Sequence, residues 1–349
     1  MSPSSRSSLK NKKERVVVIC PGRGTYTKET LGYLRKFKPQ LSSFINSLDE
    51  KRIALNTPSL SALDDEPVFK PQLHTKGENA SALIYACSYA DYLSLDFNKY
   101  EVVAVTGNSM GWYIALAVAG ALNVDSAFTL INTMGSMMKN QLIGGQLIYP
   151  LCDENWHLLP ARKALIYTAI KAVNQLPDCE AHVSINLGGY IVIGANQNAL
   201  NYLLKSLPKI ENYPFQLINH AAFHTPLLQG ISAKAFQELP LELFQRPSLP
   251  LVDGRGHIWQ NYATDLLELY NYTLGHQVIE PYDFTKAITV SLKEFCPDRL
   301  ILLGPGNSLG GAIGQILIEN KWLDICSKSE FTERQKLDPF LLSVGRINN

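Results

Sequence analysis

Three times along the chain, a short apolar run leads through a glycine-containing turn into a helical pattern. The apolar runs cover residues 15–20, 101–106 and 300–303. Short runs of this kind, rich in valine, isoleucine and leucine, are typical of buried parallel strands, and parallel strands need a crossover connection such as a helix. Because the three units are spread over almost the whole chain, the sequence predicts an α/β fold with a mostly parallel sheet.

The sequence changes in character between residues 144 and 217. Short alternating runs, residues 144–152, 179–187 and 189–195, are separated there by helical segments. This pattern predicts a small α+β subdomain, residues 144–217, inserted into a discontinuous core of residues 15–143 and 218–330. Residues 1–14 are interpreted as a disordered basic tail and residues 331–349 as a C-terminal extension.

Composition excludes several classes of function. The chain carries 32 Lys and Arg against 31 Asp and Glu, so the main electrostatic motive for binding nucleic acid is missing. The sequence contains no apolar run of 18 residues, which argues against insertion into a membrane. Six scattered cysteines without a C-x-x-C pair favour reduced thiols and a cytoplasmic protein. Neither a metal site nor a nucleotide cofactor is predicted, because ligand spacing and a P-loop lysine are lacking.

Residues 107–111 read Gly-Asn-Ser-Met-Gly, the G-x-S-x-G spacing of a nucleophile elbow. The motif carries weight when a strand precedes it and a helix follows, and both are predicted here. Ser109 would then be exposed on a tight turn, with the N–H of Met110 directed at an oxyanion. The alternative is a serine that lies between two glycines by chance.

A serine nucleophile needs a base. His224 is the candidate, because Phe223 and the apolar residues 226–228 would hold its ring in an apolar wall. His220 precedes it by four residues, and either histidine could simply be packed in the core. The sequence offers no obvious aspartate as a third member of a triad.

Several motifs together resemble the malonyl-CoA:acyl-carrier-protein transacylase family, the acyltransferases of fatty-acid and polyketide synthesis. Residues 20–25 resemble that family's P-G-Q-G-S loop, residues 107–113 its G-H-S-L-G-E-Y elbow and residues 303–306 its V-G-P-G turn. Residues 186–193, 221–228 and 276–288 resemble three further segments in the family's order. The resemblance implies an α/β fold with a hydrolase-like parallel-sheet core and an inserted ferredoxin-like subdomain.

The resemblance also implies a mechanism and its residues. Ser109 would be the nucleophile, His224 the general base, and a side-chain or backbone oxygen of Gln277 would orient the imidazole. The N–H groups of Met110 and Arg23 would form the oxyanion hole. An acyl-CoA thioester and an acyl carrier protein would be the partners in a ping-pong reaction, with no cofactor beyond acyl-CoA as a substrate.

The sequence departs from the family at the substrate-binding positions. Met134 stands where the family has the arginine that binds the malonyl carboxylate, and methionine cannot replace a guanidinium. Arg23 replaces the glutamine of the first loop, and its charge could bind the carboxylate or face solvent. Asn108 and Trp112 replace the His and Glu that flank the serine; an indole at the pocket mouth would favour uncharged acyl groups, or it could simply pack.

Three functions therefore remain open from the sequence. The first is acyl transfer from coenzyme A to a carrier protein, with malonyl specificity by the usual route in doubt because of Met134. The second is hydrolysis of acyl thioesters on the same fold, and the third is a weakly catalytic module that binds a carrier protein. Lys139, Lys205 and Lys209 are candidates for docking an acidic carrier protein.

Overall fold

The computed structural model describes residues 12–139 and 142–345, and within these ranges the chain forms two β-sheets. The strands are β1 (Glu14–Cys20), β2 (Tyr100–Gly107), β3 (Gly145–Pro150), β4 (Ala181–Leu187), β5 (Tyr190–Ala195), β6 (Phe215–Gln216), β7 (Leu251–Val252), β8 (Ile258–Trp259), β9 (Tyr282–Asp283), β10 (Arg299–Leu302) and β11 (Leu341–Ser343).

Helices connect the strands of both sheets. They are α1 (Lys38–Ala54), α2 (Leu60–Asp64), α3 (Pro71–His74), α4 (Gly77–Leu93), α5 (Gly111–Val118), α6 (Val124–Ser136), α7 (Pro160–Val173), α8 (Gln197–Ser206), α9 (Gln229–Glu238), α10 (Leu266–Asn271), α11 (Gln277–Ile279), α12 (Phe284–Phe295), α13 (Gly310–Glu319) and α14 (Lys328–Leu337). A π-helical turn, Tyr272–His276, joins α10 to α11. Of the helices in the described ranges, none has the length and apolar character that crossing a membrane requires.

The larger sheet has the strand order β11-β10-β1-β2-β7-β8. Its neighbours pair in parallel except for β7 and β8, which are antiparallel. The three strands that the sequence predicts are the central ones, β10, β1 and β2, and residues 16–20 of β1 are completely buried. The predicted α/β fold with a mostly parallel core sheet is therefore confirmed.

The smaller sheet has the order β6-β3-β5-β4-β9. Its first four strands are mutually antiparallel and, with α7 and α8, follow the chain order βαββαβ, which is the ferredoxin-like arrangement. These elements lie within residues 144–217, whereas β9 comes from the core segment and pairs in parallel with β4. The subdomain has its own apolar core, which includes Leu147, Ile166, Ile193 and Leu200.

The two ends of the chain differ from the sequence interpretation. Residues 1–11 of the predicted tail lie outside the described residues. Glu14, also predicted as tail, is the first residue of β1 and pairs with Tyr100 of β2. Residues 331–345 of the predicted extension are part of the core, because β11 adds a parallel edge strand beside β10. Phe340 and Leu341 bury their side chains there, which explains why the segment packs.

We expect that Phe340→Ala lowers the free energy of unfolding by about 3–5 kcal/mol, since it removes a buried aromatic ring that packs beside Trp322. Urea denaturation followed by circular dichroism measures the change. Leu337→Ala is the control, because that side chain is 77% exposed, and its unfolding midpoint should stay close to wild type. Equal midpoints for the two variants would mean that β11 adds nothing to the core.

Candidate active site

The serine singled out in the sequence lies on a sharp turn between strand and helix. β2 ends at Gly107, α5 begins at Gly111, and Ser109 has a backbone φ of 56°. This left-handed conformation is uncommon for a residue with a side chain and costs backbone strain. The turn therefore has the conformation of a nucleophile elbow.

Close backbone packing explains why glycine stands at both ends of the turn. A Cβ on Gly107 would collide with the carbonyl oxygen of Gly111, and a Cβ on Gly111 would collide with that of Cys20. The N–H of Asn108 donates to the same Cys20 carbonyl at 3.1 Å. The turn is thus held against the end of β1, and larger residues would push it away.

His224 contacts the serine directly. The distance from Ser109 Oγ to His224 Nε2 is 2.7 Å, and His224 Nδ1 lies 2.5 Å from the backbone oxygen of Gln277. A carbonyl oxygen only accepts hydrogen bonds, so Nδ1 carries the proton and Nε2 accepts from the serine hydroxyl. This is the tautomer that a general base requires. His220 bonds instead to Gln146 Oε1, at 3.1 Å.

Gln277 connects the histidine to the serine turn. Its backbone oxygen orients His224, while its side chain has two other partners. The side-chain Nε2 donates to the Ser109 carbonyl at 3.1 Å, and Oε1 accepts from the Tyr113 hydroxyl at 2.8 Å. Of the two oxygens left open by the sequence, the backbone oxygen is therefore the one that contacts the imidazole. No role for Tyr113 emerges from sequence reasoning; the residue lies in α5, in the turn of helix that follows the Ser109 elbow.

A pocket opens beside the serine, and we call it the Ser109 pocket. It is lined by Arg23, Ser81, Ser109, Met110, Tyr113, Ile131, Met134, Gly135, Phe223, His224 and Gln277. For the N–H groups of Met110 and Arg23, the described residues provide no hydrogen-bond acceptor. Both residues border the pocket beside the serine at the N-terminus of α5, whose dipole favours negative charge. The arrangement is compatible with an oxyanion hole.

The predicted substrate-binding residues separate in the structure. Met134, 3% exposed, lines the Ser109 pocket, whereas Trp112 and Asn108 do not. The indole of Trp112 is completely buried, donates to Thr273 Oγ1 at 3.1 Å and packs edge-on against Tyr272. The expectation of an indole at the pocket mouth is therefore wrong, because α5 turns residue 112 into the core.

Burial controls the charge of the histidines near the pocket. Desolvation lowers the pKa of His224 to about 4, although the Gln277 carbonyl opposes this effect; the neighbouring His276 lowers it further. Burial and the charge of Arg23 lower the pKa of His220 to about 3. Both rings are therefore neutral near pH 7, and His224 has a free lone pair for proton abstraction.

Curated relatives of the chain are large synthases. It is 25% identical over 288 residues to a non-reducing polyketide synthase of Arthroderma gypseum, an alignment that covers 80% of this chain and 15% of the relative. A non-reducing polyketide synthase of Preussia isomera is 23% identical over 256 residues, with coverages of 72% and 11%. The chain thus spans only a small part of these relatives' length. No family model matches the chain.

Solved structures share the fold. A malonyl-CoA:acyl carrier protein transacylase from Xanthomonas oryzae has a TM-score of 0.70 and 19% identity, over 86% of this chain and 91% of that one. The transacylase of Synechocystis sp. has a TM-score of 0.70 and 15% identity, with coverages of 96% and 98%. A malonyl-transacylase in complex with a type II polyketide-synthase acyl-carrier protein has a TM-score of 0.68 and 20% identity, over 87% and 93% of the two chains. The chain has the fold of these transacylases, as its motifs predict.

The contacts of Gln277 predict a mild effect for Gln277→Ala. The variant keeps the backbone oxygen that orients His224 and loses only the ties to Ser109 and Tyr113, so we expect acylation of Ser109 to slow by about 10- to 100-fold. For His224→Ala, which removes the predicted base, the expected loss is about 10³- to 10⁴-fold. Stopped-flow measurement of thiol release gives both rates. Equal losses would mean that the Gln277 side chain is what orients the imidazole.

The lowered pKa of His224 predicts an unusual pH profile. Protonation of Nε2 removes the lone pair that accepts the serine proton, so the rate constant for acylation should fall as the pH drops. We expect the rate to stay level through pH 6.5, the ordinary histidine value, and to reach half only near pH 4. Circular dichroism in the same buffers checks that the fold persists. His220→Asn should give the same profile, and a midpoint near 6.5 would contradict the assignment.

Proposed function

We propose that the protein is an acyltransferase that moves an acyl group from coenzyme A to the phosphopantetheine thiol of an acyl carrier protein. The observation that carries the proposal is the 2.7 Å contact between Ser109 Oγ and His224 Nε2, with Ser109 on a nucleophile elbow in a chain that has the transacylase fold. The named relatives support fatty-acid or polyketide synthesis as the setting. The six cysteines are free thiols, which supports a cytoplasmic location.

The first half-reaction acylates the serine. His224 Nε2 takes the hydroxyl proton as Ser109 Oγ attacks the thioester carbonyl, and the N–H groups of Met110 and Arg23 stabilise the resulting oxyanion. The intermediate collapses by breaking the carbon–sulfur bond, and His224 returns the proton to the coenzyme A thiolate. The Gln277 carbonyl holds the ring throughout and stabilises its charged form.

The second half-reaction reverses the first with a different thiol. His224 takes the proton of the phosphopantetheine thiol as its sulfur attacks the carbonyl carbon of the acyl-serine ester. The bond from that carbon to Ser109 Oγ then breaks, His224 returns the proton to Ser109 Oγ, and the acyl group leaves on the carrier thiol. The carrier protein is thus the second substrate. Lys139, Lys205 and Lys209 are exposed and remain our candidates for contacting its acidic surface, since complementary charge speeds encounter.

The first test is intact-protein mass spectrometry after brief incubation with acetyl-, butyryl- and malonyl-CoA. We expect wild-type protein to gain the mass of at least one acyl group and Ser109→Ala to gain none, because the variant lacks the attacking hydroxyl. Addition of a carrier protein bearing phosphopantetheine should then move the acyl group to the carrier.

Two other outcomes would contradict the proposal in different ways. An adduct that disappears in water faster than it reaches the carrier protein would identify a thioester hydrolase. The absence of an adduct with every donor would favour a module that binds a carrier protein without catalysis. His220→Ala serves as a matched control, since its ring lies outside the hydrogen bonds that join Ser109, His224 and Gln277.

A further inference from the structure

Arg23 brings a positive charge to the Ser109 pocket. Among the described residues that line this pocket it is the one cationic side chain, since His224 is neutral near pH 7. Burial lowers the pKa of the guanidinium to about 10, which still leaves it charged at neutral pH. Within the described ranges, no carboxylate forms an ion pair with Arg23. The pocket therefore contains an uncompensated cation.

Only some of the N–H donors of the guanidinium have an acceptor. Nη2 donates to two neutral backbone oxygens, those of Thr75 at 3.1 Å and Asn219 at 2.6 Å. Nε is shielded from solvent and has no partner, and for Nη1 too the described residues provide no acceptor. Three of the five N–H donors of the guanidinium are thus unassigned. A partly buried cation with unpaired donors is costly until an anion binds it.

The free end of Arg23 lies close to α6, the helix that carries Met134. A Cβ built on Gly77 would lie 3.4 Å from Arg23 Nη1 and 2.6 Å from the carbonyl oxygen of Gly135. Arg23 Nη1 and the Gly135 carbonyl oxygen therefore lie within 3.4 Å of the same point, and Gly135 is the residue that follows Met134 in α6. The guanidinium reaches from the first glycine loop to this wall, where Met134 itself offers no charge.

We propose that Arg23 determines the acyl specificity of the Ser109 pocket by binding a free carboxylate at the distal end of the acyl group. The preferred donors are thus acyl thioesters that end in a carboxylate, and the anchoring charge comes from the first glycine loop rather than from α6. The inference rests on the acyltransferase function proposed above. A charge-assisted hydrogen bond in a partly desolvated pocket provides the discrimination.

The experiment compares acylation of Ser109 by malonyl-CoA and succinyl-CoA with acylation by acetyl-CoA and butyryl-CoA. The readout is the ratio of kcat/KM for a carboxylated donor to kcat/KM for the uncharged donor. We expect wild-type protein to prefer one or both carboxylated donors. In Arg23→Gln the ratio should fall about 100-fold, since the variant loses the charge and keeps a backbone N–H. The ratio cancels any loss that both donors share.

Three variants make the result decisive. Arg23→Lys keeps the charge and should retain a ratio above that of Arg23→Gln. Arg35→Gln removes an exposed arginine that pairs with Asp65, and its ratio should equal the wild-type ratio. Arg23→Gln combined with Met134→Arg returns a cation to the α6 wall and should recover the preference for a carboxylated donor.

Several results would overturn the inference. A preference of the wild-type protein for uncharged donors would overturn it without any variant. An unchanged ratio in Arg23→Gln would also overturn it, and the role of Arg23 would then be only to link the backbone oxygens of Thr75 and Asn219. In both cases an acyl-Ser109 adduct still forms, so the proposed acyltransferase function stands. Failure of every donor to form an adduct would remove that function and this inference together.

Discussion

The close approach of the serine turn to the end of β1 is the constraint on which the site depends. Gly107 and Gly111 let the backbone of the turn pack against itself and against the Cys20 carbonyl, where no side chain would fit. That contact holds Ser109 in its left-handed conformation, and it brings the loop that follows β1, with Arg23, to the same pocket. The proposed nucleophile, the proposed oxyanion donors and the proposed carboxylate anchor are therefore brought together by one backbone contact.

His224, the proposed base, is held by both parts of the fold. From the core, the Gln277 carbonyl fixes the ring of His224, and the Gln277 side chain fixes the serine turn. From the subdomain, Ser184 on β4 donates to the carbonyl of Phe223 at 2.9 Å and accepts from the Gln146 side chain at 2.8 Å. His224 has a positive φ, so its strained backbone needs these surrounding bonds to persist.

Burial also affects the charge of two side chains in the pocket, His224 and Arg23. The apolar wall that includes Met134 leaves His224 neutral and ready to accept a proton, because desolvation disfavours the imidazolium ion. Burial also lowers the pKa of the Arg23 guanidinium, but only to about 10, so the group stays charged at neutral pH. One pocket thus contains a neutral histidine and a charged arginine, a combination suited to a substrate that brings its own negative charge.

The sequence alone determined the elements whose signals are local. The apolar runs of β1, β2 and β10 and the G-x-S-x-G turn with Ser109 follow from neighbouring residues, since strand, turn and helix preferences act over a few positions. Local sequence left His224 and His220 as alternatives, and the contact of His224 with Ser109 joins residues far apart in the chain. Only the tertiary structure decided that β11 joins the sheet, that Trp112 faces the core and that the backbone oxygen of Gln277 contacts His224. It also brought Arg23 beside Gly77 and Gly135. These features are contacts between segments distant in the chain, and packing of the whole fold sets them.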